Sequence, residues 1–368
     1  MTDARKYFKI DGAFTMHRGA RLASPTLAYE TWGELNHDKS NAVLIFTGLS
    51  PSAHASSSAE DPSVGWWEDM IGPGLPVDTE RYVVMCVNSR GSCFGSTGPA
   101  SVNPDTGELY RLGFPQLRLE DVAESAWCVV QSLGIEMLDS VVGCSMGGMT
   151  GLGFCAMHPG CTRAFISISS ASRALPFSIA VRSLQREMIR TDPRWDDGNY
   201  ASDKPPIVGQ RLARKLGMIT YRSPEEWVQR FGRERTTSTS RPGDPFQIEF
   251  SVESYLEAHA QKFTGQFDPN CYLYLSHASD LFDLAEHGGS LDAGFARMDL
   301  ERVMVIGVTT DVLFPISQQR DLAKGFESAG MDTEYCLLYT SPSPRDRSRD
   351  LVCRLLLEKG GGGGGGGG

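Results

Sequence analysis

The strongest chemical signal in the sequence is a G-x-S-x-G motif made of Gly143, Cys144, Ser145, Met146 and Gly147. An apolar run at 138–144 leads into the motif, and a segment with helical spacing follows it. A serine on such a strand-to-helix turn has a strained backbone, needs small neighbours and serves as a nucleophile in acyl transfer. The helix N-terminus also places a positive dipole end where an oxyanion forms. We therefore predict that Ser145 is a catalytic nucleophile, the alternative being a merely structural turn.

A second signal follows the apolar run 41–48 and consists of Thr47, Gly48, Leu49, Ser50 and Pro51. In proteins with this type of nucleophile turn, the loop after the corresponding strand donates one backbone N–H to the oxyanion, and the residue after the nucleophile donates another. The predicted oxyanion hole therefore consists of the N–H groups of Leu49 and Met146. An ordinary Gly/Pro loop is the alternative interpretation.

A third signal is Asp311, which follows the apolar run 302–309. The chain order of such triads is serine, acid and histidine, so Asp311 has the position of the acid; its alternative role is a helix N-cap. None of the seven histidines follows Asp311: they are His17, His37, His54, His158, His259, His277 and His287. We expect these seven to be structural or surface residues and the triad histidine to be absent from this chain.

The elements that must position these residues alternate along the chain. The predicted strands are 41–48, 81–88, 138–144, 164–169 and 302–309, and the clearest predicted helices are 117–134 and 317–330. Near-continuous apolar strands that alternate with helices predict an α/β fold with a mostly parallel central sheet. The alternation stops at 173–290, which we interpret as an inserted helical lid. The expected core therefore comprises 1–172 and 291–336.

Composition and charge exclude several classes of protein. The chain has 368 residues, 40% of them hydrophobic and 22% charged, which is ordinary for a soluble enzyme. The formal net charge of −10 argues against nucleic-acid binding, and no apolar run approaches the ~20 residues of a membrane span. The nine cysteines are scattered, without a CxxC pair or a signal peptide, which indicates reduced thiols and a cytoplasmic location. No residue spacing suggests a metal site.

Charge is unevenly distributed along the chain. Residues 173–241 contain 14 Lys or Arg and 8 Asp or Glu, a local charge of +6 in an acidic protein. Such a segment could attract an anionic substrate, and a solvated helical surface is an equal alternative.

The C-terminal segment differs from the rest. Residues 337–368 include TSPSPRDRSRD and end in a run of glycine, which cannot bury side chains. We expect this segment to be a disordered, non-native tail, with a natural disordered tail as the alternative.

Longer motifs make the chain resemble the homoserine O-acyltransferase family of the α/β-hydrolase superfamily, and within it the serine O-succinyltransferase group. The resemblance covers about Tyr7 to Tyr335, and the motifs that carry it are AYETWGELN, TGLSPSAH, CVNSRGSCFGSTGPASVNPDTG, GCSMGGM, ALPFSIAVRSLQRE, ARKLGMITYRS, DPNCYLYL and TDVLFP. The resemblance implies an α/β-hydrolase fold and a Ser-based acyl-enzyme with ping-pong kinetics. In the family, a histidine and a substrate-contacting aspartate follow the position of Tyr335, where this chain has CLLYTSPSPRD.

The resemblance also implies substrates and the residues that bind them. The co-substrate would be succinyl-CoA or acetyl-CoA, the acceptor L-serine, and the product an O-acyl-L-serine for cysteine synthesis, with no bound cofactor. An arginine at Arg182 is linked to a succinyl carboxylate, and one at Arg214 to the amino acid. The GLSP sequence, Gly48, Leu49, Ser50 and Pro51, is linked to accepting serine rather than homoserine.

Three other functions remain open at this stage. One is homoserine O-acetylation for methionine synthesis, one is ester hydrolysis with water as the acceptor, and one is a non-catalytic binding protein. The basic lid and the length of the resemblance disfavour the second function, and the missing histidine is the only support for the third. The sequence leaves the oligomeric state open, with a homodimer as one expectation.

Overall fold

The computed structural model describes residues 3–236 and 244–338. Its strands are β1 Lys6–Lys9, β2 Ala13–Thr15, β3 Arg21–Ala23, β4 Thr26–Trp32, β5 Ala42–Phe46, β6 Ile71–Gly72, β7 Val77–Asp78, β8 Val83–Val87, β9 Leu138–Cys144, β10 Thr162–Ile168, β11 Arg302–Val308 and β12 Asp332–Leu338. Its α-helices are α1 Leu119–Ser132, α2 Met146–Met157, α3 Pro176–Arg190, α4 Ile207–Thr220, α5 Pro224–Phe231, α6 Ser251–Phe263, α7 Pro269–Leu281, α8 Leu291–Ala296 and α9 Ile316–Ser328. Short 3₁₀ turns lie at Arg111–Gly113, Asp196–Gly198 and Leu284–His287.

Eight strands form the central sheet in the order β1-β4-β8-β5-β9-β10-β11-β12. The pairs from β8 to β12 are parallel, while β1 pairs antiparallel with β4, and β4 with β8. The sheet is therefore mostly parallel, and the α/β-hydrolase fold class predicted from the sequence is confirmed. All five predicted strands are present within a few residues of their expected bounds.

Both faces of the sheet are covered. Along β5, Leu44 and Phe46 belong to one buried apolar cluster, and Val43 and Ile45 belong to the cluster on the opposite face. This alternation follows from the two-residue period of a strand, and every residue of β5 and β8 is buried. Packing on both faces explains why these strands are apolar throughout.

The helical insertion, which we define as residues 173–290, separates β10 from β11. Its described part contains α3 to α7, and α8 follows it before the chain re-enters the sheet at Arg302. No helix among the described residues combines the length and apolarity that crossing a bilayer would need. The division into core and lid stays a prediction.

The last strand of the sheet was not predicted from the sequence, and it extends into the expected tail. β12 runs to Leu338 and pairs in parallel with β11, so Leu337 and Leu338 belong to the sheet rather than to a disordered tail. The remainder of the predicted tail, 339–368, lies outside the described residues.

Candidate active site

Ser145 lies on a sharp turn between β9 and α2. Its backbone has φ 55° and ψ −119°, an unfavourable conformation that costs about 1–3 kcal/mol and is typical of functional turns. A Cβ added at Gly143 would lie 2.3 Å from the Gly147 carbonyl oxygen, and one at Gly147 would lie 2.2 Å from the Phe46 oxygen. A Cβ at Gly148 would lie 2.5 Å from the Cβ of Ser170. The three glycines are therefore a steric requirement of this turn.

Neighbouring strands fix the Ser145 backbone. Its N–H donates to the Ile168 oxygen at 2.9 Å, and its carbonyl accepts from the Ser170 hydroxyl at 2.8 Å. Both partners lie at the end of β10 or just after it, so the serine sits at the carboxyl edge of the sheet. Its side chain is half-buried, which leaves it reachable from solvent.

The two predicted oxyanion donors lie beside this turn. Leu49 follows β5, and Met146 is the first residue of α2, whose first turn packs against the end of β5 through Gly147. Neither the Leu49 N–H nor the Met146 N–H donates to an acceptor among the described residues. Both donors are therefore free to bind an external oxygen, and the dipole of α2 favours a negative charge there.

Asp311 follows β11 at the same edge of the sheet. β11 is two strands away from β9, so strand spacing alone separates Asp311 from Ser145 by about 10 Å. The Asp311 Oδ1 accepts the N–H groups of Leu313 and Phe314, each at 2.9 Å. Both residues precede α9, whose N-cap is Pro315, so Asp311 closes a turn before the helix and is not its N-cap. Its Oδ2 has no hydrogen bond within 3–236 and 244–338, so that oxygen is available to an imidazole.

The electrostatic state of Asp311 is unusual. Burial raises the pKa of this carboxyl to about 6, although the two backbone N–H groups lower it. A buried carboxylate with one unpaired oxygen is costly, and a cationic or N–H partner would relieve that cost.

Four of the seven histidines have ring hydrogen bonds, and all of these bonds lie away from Ser145 and Asp311. Their ring partners are Glu30 and Ser63 for His54, Glu124 for His158, the Tyr255 carbonyl for His259, and Glu120 for His287. In the described part of the chain no imidazole forms a hydrogen bond with Ser145 or Asp311. The family has its histidine and aspartate after the position of Tyr335. In this chain the segment after Leu338 lies outside the described residues.

One described cluster could geometrically hold a cation. Ligand atoms of His17, Glu120 and Glu286 lie within 4.8 Å of one another. The Arg118 guanidinium is already 2.5 Å from Glu286 and 3.4 Å from Glu120, so it offsets part of the negative charge that a cation would need. We assign no metal to this cluster.

Arg182 lies on α3 and shares a carboxylate with Arg186. The Arg182 Nε is 2.5 Å from Asp280 Oδ1, and the Arg186 Nη1 is 2.7 Å from Asp280 Oδ2. The Arg182 Nη2 is buried without a hydrogen-bond partner in the part of the chain that the structure describes. Because one carboxylate faces two guanidinium groups, this cluster retains a positive charge. Sequence reasoning missed Arg186 and Asp280, although the spacing of four residues between the arginines places them on one helix face.

Arg214 lies on α4 and approaches the region of Arg182 and Arg186. Its guanidinium carbon is 4.5 Å from the Phe263 ring and 5.9 Å from the Tyr221 ring, and its buried Nε has no partner within the described residues. An aromatic setting orients a guanidinium without neutralising it. Arg214 therefore keeps its hydrogen-bonding capacity for a ligand.

Tyr272 of α7 shows that these groups converge. Burial raises the pKa of its hydroxyl, and Tyr221 raises that pKa further. The guanidinium groups of Arg214, Arg182 and Arg186 lower it, so all three lie within electrostatic range of this one side chain. Sequence analysis did not identify Tyr272, because a buried tyrosine on an apolar helix carries no chemical signature.

The arginine cluster, Arg182, Arg186 and Arg214, is connected to the nucleophile turn. Ser170, which binds the Ser145 carbonyl, belongs to the segment that leads into α3. On α3 itself, the Ser178 hydroxyl donates to the Leu313 carbonyl, two residues after Asp311. Arg182 lies one helical turn beyond Ser178, about 6 Å along the axis. The first turns of α3 thus extend from the carboxyl edge of the sheet to the cationic cluster.

Comparisons with known proteins agree with this geometry. The family described as alpha/beta hydrolase fold matches residues 41–336. A serine O-succinyltransferase of Litchfieldella anticariensis is 56% identical over 336 residues, which cover 91% of this chain and 92% of the relative. The crystal structure of esterase E22 has 27% identity and a TM-score of 0.85, covering 96% of this chain and 99% of its own. That of homoserine O-acetyltransferase from Bacillus anthracis has 26% identity and a TM-score of 0.83, covering 91% and 90%. The chain therefore belongs to the α/β-hydrolase fold family, in the homoserine O-acyltransferase branch that its motifs indicated.

Proposed function

We propose that this protein transfers an acyl group, preferably a succinyl group, from acyl-CoA to the hydroxyl of L-serine. The observation that carries the proposal is the arginine cluster, which α3 connects to the carboxyl edge of the sheet, in a chain 56% identical to a serine O-succinyltransferase. A succinyl group and an amino acid each carry a carboxylate, and arginine is the side chain best suited to bind one.

In the first half-reaction Ser145 attacks the thioester carbonyl of acyl-CoA. A base removes the serine proton, the N–H groups of Leu49 and Met146 stabilise the tetrahedral oxyanion, and CoA leaves as the thiol. The acyl group is then an ester of Ser145, with the carboxylate of a succinyl group bound by Arg182. The Nη2 of Arg182 has no protein partner among the described residues, which supports this assignment.

In the second half-reaction the same base activates the hydroxyl of L-serine, which attacks the acyl-Ser145 ester. Arg214 binds the carboxylate of the acceptor, and the loop of Gly48, Leu49, Ser50 and Pro51 limits its length. O-acyl-L-serine leaves, and Ser145 recovers its proton. Acyl-CoA is consumed as a substrate, so the reaction needs no resident cofactor. We further propose that the product feeds cysteine synthesis.

The base is a histidine that this chain does not supply downstream of Asp311. We propose that the chain as given transfers acyl groups poorly. A C-terminal chimera tests this idea: residues 339–368 are replaced by the corresponding C-terminal residues of the Litchfieldella anticariensis relative. The chimera keeps every described residue unchanged.

Two other activities have specific support. The Bacillus anthracis structure is named a homoserine O-acetyltransferase, and esterase E22 has a comparable TM-score. A neutral acetyl ester with water as the acceptor needs none of the three arginines of the cluster, so esterase activity leaves them unexplained.

A CoA-release assay with the C-terminal chimera separates these activities. The proposal expects CoA release from succinyl-CoA that depends on L-serine. Release that depends on L-homoserine with acetyl-CoA would support the acetyltransferase, and release without any acceptor amino acid would support a hydrolase; either result would refute the proposal.

We also propose a homodimer in the cytoplasm. Exposed apolar side chains on α3 and α4, namely Leu184, Leu212 and Ile219, are each more than 40% exposed and would be covered by a second copy. The eight cysteines of the described residues are free thiols, which a reducing compartment maintains. Light scattering on the purified chain tests the dimer, and a monomer mass at micromolar concentration would contradict it.

A further inference from the structure

A buried carboxylate and a half-buried imidazole form an ion pair next to the loop that supplies the Leu49 N–H. Glu30 on β4 is 2% exposed, and its Oε2 is 2.8 Å from the Nδ1 of His54. On the other side of the ring, the His54 Nε2 is 2.9 Å from the carbonyl oxygen of Ser63. The imidazole therefore bridges a strand of the central sheet and the segment around residue 63.

The atoms around the ring fix the number of protons it needs. A carbonyl oxygen can only accept, so the Nε2 must carry a proton to bond with Ser63. The Ser63 hydroxyl, 3.1 Å from the same nitrogen, donates its single proton to Asp61 Oδ1 at 2.7 Å and so offers another acceptor. A carboxylate at Glu30 likewise only accepts, so the Nδ1 must carry a proton too. With one proton fewer, two lone pairs face each other at one of the two contacts.

The surrounding charges favour the doubly protonated ring. Burial lowers the pKa of His54, but hydrogen bonds to Glu30 and Ser63 and the charges of Glu30 and Asp61 raise it by more, so the net shift is upward. The carboxylates within electrostatic range of the ring are those of Glu30, Asp61, Glu68 and Asp3. Burial raises the pKa of Glu30, and the hydrogen bond and positive charge of His54 oppose that shift, so the carboxylate and the ring depend on each other for their charged forms.

The backbone of His54 is connected to the oxyanion loop through three hydrogen bonds that involve Ser52 and Trp66. The backbone N–H of His54 donates to the Ser52 hydroxyl at 3.2 Å, and the backbone carbonyl of His54 accepts the Trp66 backbone N–H at 3.3 Å. The Trp66 indole Nε1 donates to the Ser52 carbonyl at 2.9 Å. Ser52 directly follows Gly48, Leu49, Ser50 and Pro51, so a shift of His54 moves the anchored end of the loop.

From this geometry we infer that Glu30 and His54 are positioning residues, which hold the oxyanion loop in place while they share two protons and loosen it when one proton is lost. The inference rests on the proposed function only for the role of the Leu49 N–H; the proton count stands on the contacts alone. At pH values below the titration midpoint of the pair, the ring keeps its contacts with both Glu30 and Ser63. At pH values above the midpoint, one of these two contacts becomes repulsive. The loop should therefore loosen as the pH rises.

Imidazole NMR of the full-length chain, labelled with ¹⁵N, tests the proton count. We expect both His54 nitrogens to be protonated at pH 7, with a titration midpoint above the ordinary value of about 6.5. In Glu30→Gln the amide can donate to the Nδ1, so a neutral ring is satisfied and the midpoint should fall. The matched control is Glu124→Gln, which removes the carboxylate 2.9 Å from His158 at a more exposed site and should leave His54 unchanged. A His54 ring that is neutral at pH 7 would overturn the inference.

The Trp66 indole N–H reports the loop in the same samples. We expect its hydrogen exchange to accelerate as the His54 ring loses its proton, and this dependence to disappear in Glu30→Gln. If the exchange rate of the Trp66 indole N–H does not change as His54 titrates, the link between the ring and the loop is refuted.

Activity gives an independent measurement. Because a misplacement of about 1 Å can cost about 10²-fold in rate, acylation of Ser145 in the C-terminal chimera should fall by up to about 10²-fold in His54→Ala, which removes both ring contacts, and the loss should be in the rate constant rather than in the KM for acyl-CoA. A change confined to KM would contradict a positioning role. If the unsubstituted chimera forms no acyl-enzyme, the proposed function fails, whereas the two NMR measurements still decide the proton count.

Discussion

The carboxyl edge of the sheet and the helical insertion build their parts of the candidate site in different ways. At the sheet edge, Ser145 has a strained backbone, and three glycines approach other atoms too closely to be replaced. In the insertion the important groups are long, flexible side chains whose buried nitrogens lack partners within residues 3–236 and 244–338, such as the Nη2 of Arg182 and the Nε of Arg214. The sheet edge thus fixes geometry through its backbone, while the insertion fixes charge through side chains.

This difference predicts how substitutions in each region should affect activity. A substitution at the Ser145 turn removes a reacting group or displaces one, so it should reduce the rate with every substrate. A substitution in the insertion removes one charge from a cluster, so it should change which substrate is preferred. The predictions below test this contrast in order of decreasing effect.

The largest effect concerns the base. In a comparable enzyme, removing the triad histidine costs about 10⁶ in kcat, because a serine hydroxyl without a base is a poor nucleophile. We therefore expect the chain as given to be slower than the C-terminal chimera by about this factor, measured as CoA release from succinyl-CoA. Comparable rates would show that the missing base is not the limiting feature.

The second prediction concerns Arg214. Loss of a charge-assisted hydrogen bond costs about 1.5–3 kcal/mol, so Arg214→Ala in the chimera should reduce kcat/KM for L-serine by roughly ten- to hundred-fold. Arg222 is a matched control, because it also stacks on an aromatic ring of the insertion, at 5.7 Å from Trp227, and we assign it no substrate. Equal effects of Arg214→Ala and Arg222→Ala would remove Arg214 from the acceptor site.

The third prediction concerns the acyl donor. Arg182→Ala should reduce the use of succinyl-CoA by roughly ten- to hundred-fold, and that of acetyl-CoA much less, because only succinyl has a carboxylate. The ratio of the two rates is the measurement, since it is insensitive to partial loss of folded protein. Arg186→Ala, which breaks the other contact with Asp280, is the control for damage to the ion pair itself. An unchanged succinyl-to-acetyl ratio in Arg182→Ala would contradict the assignment.

The fourth prediction concerns the oxyanion loop. Serine and homoserine differ by one methylene, a difference worth about 1–3 kcal/mol in a pocket. Substitution of Ser50 or Pro51 should therefore change the serine-to-homoserine ratio of kcat/KM within that range. An unchanged ratio would move acceptor selection away from this loop.

The smallest expected effect is a change in the unfolding free energy when Asp311 is replaced. Because its folded-state pKa is raised from 3.8 to about 6, ionisation of this buried carboxyl destabilises the fold, with no effect below about pH 4 and the full effect above about pH 6. Asp311→Asn should therefore raise the unfolding free energy of the full-length chain at pH 7.5 by about 1–3 kcal/mol. Denaturant unfolding at pH 7.5 and pH 4 measures this. A stabilisation of the same size at both pH values would exclude ionisation as its cause.

The two regions also differ in how far the sequence predicted them. The five strands of the parallel sheet were predictable because burial on both faces leaves continuous apolar runs, and Ser145 was recognisable because its turn requires glycines at fixed positions. Arg182 and Arg214 were found only through the family resemblance, since a useful arginine looks like any other on a basic helix. Asp280 and Tyr272 were missed because their importance arises from contacts between α3, α4 and α7, which are far apart in sequence. β12 was missed because its polar, half-buried edge lacks an apolar run.

Intact-mass spectrometry of the C-terminal chimera incubated with succinyl-CoA tests the central claim most directly. We predict an adduct with the mass of one succinyl group, which maps to Ser145, is absent in Ser145→Ala and is discharged by L-serine. An adduct that survives Ser145→Ala, or one that L-serine does not discharge, would contradict the account.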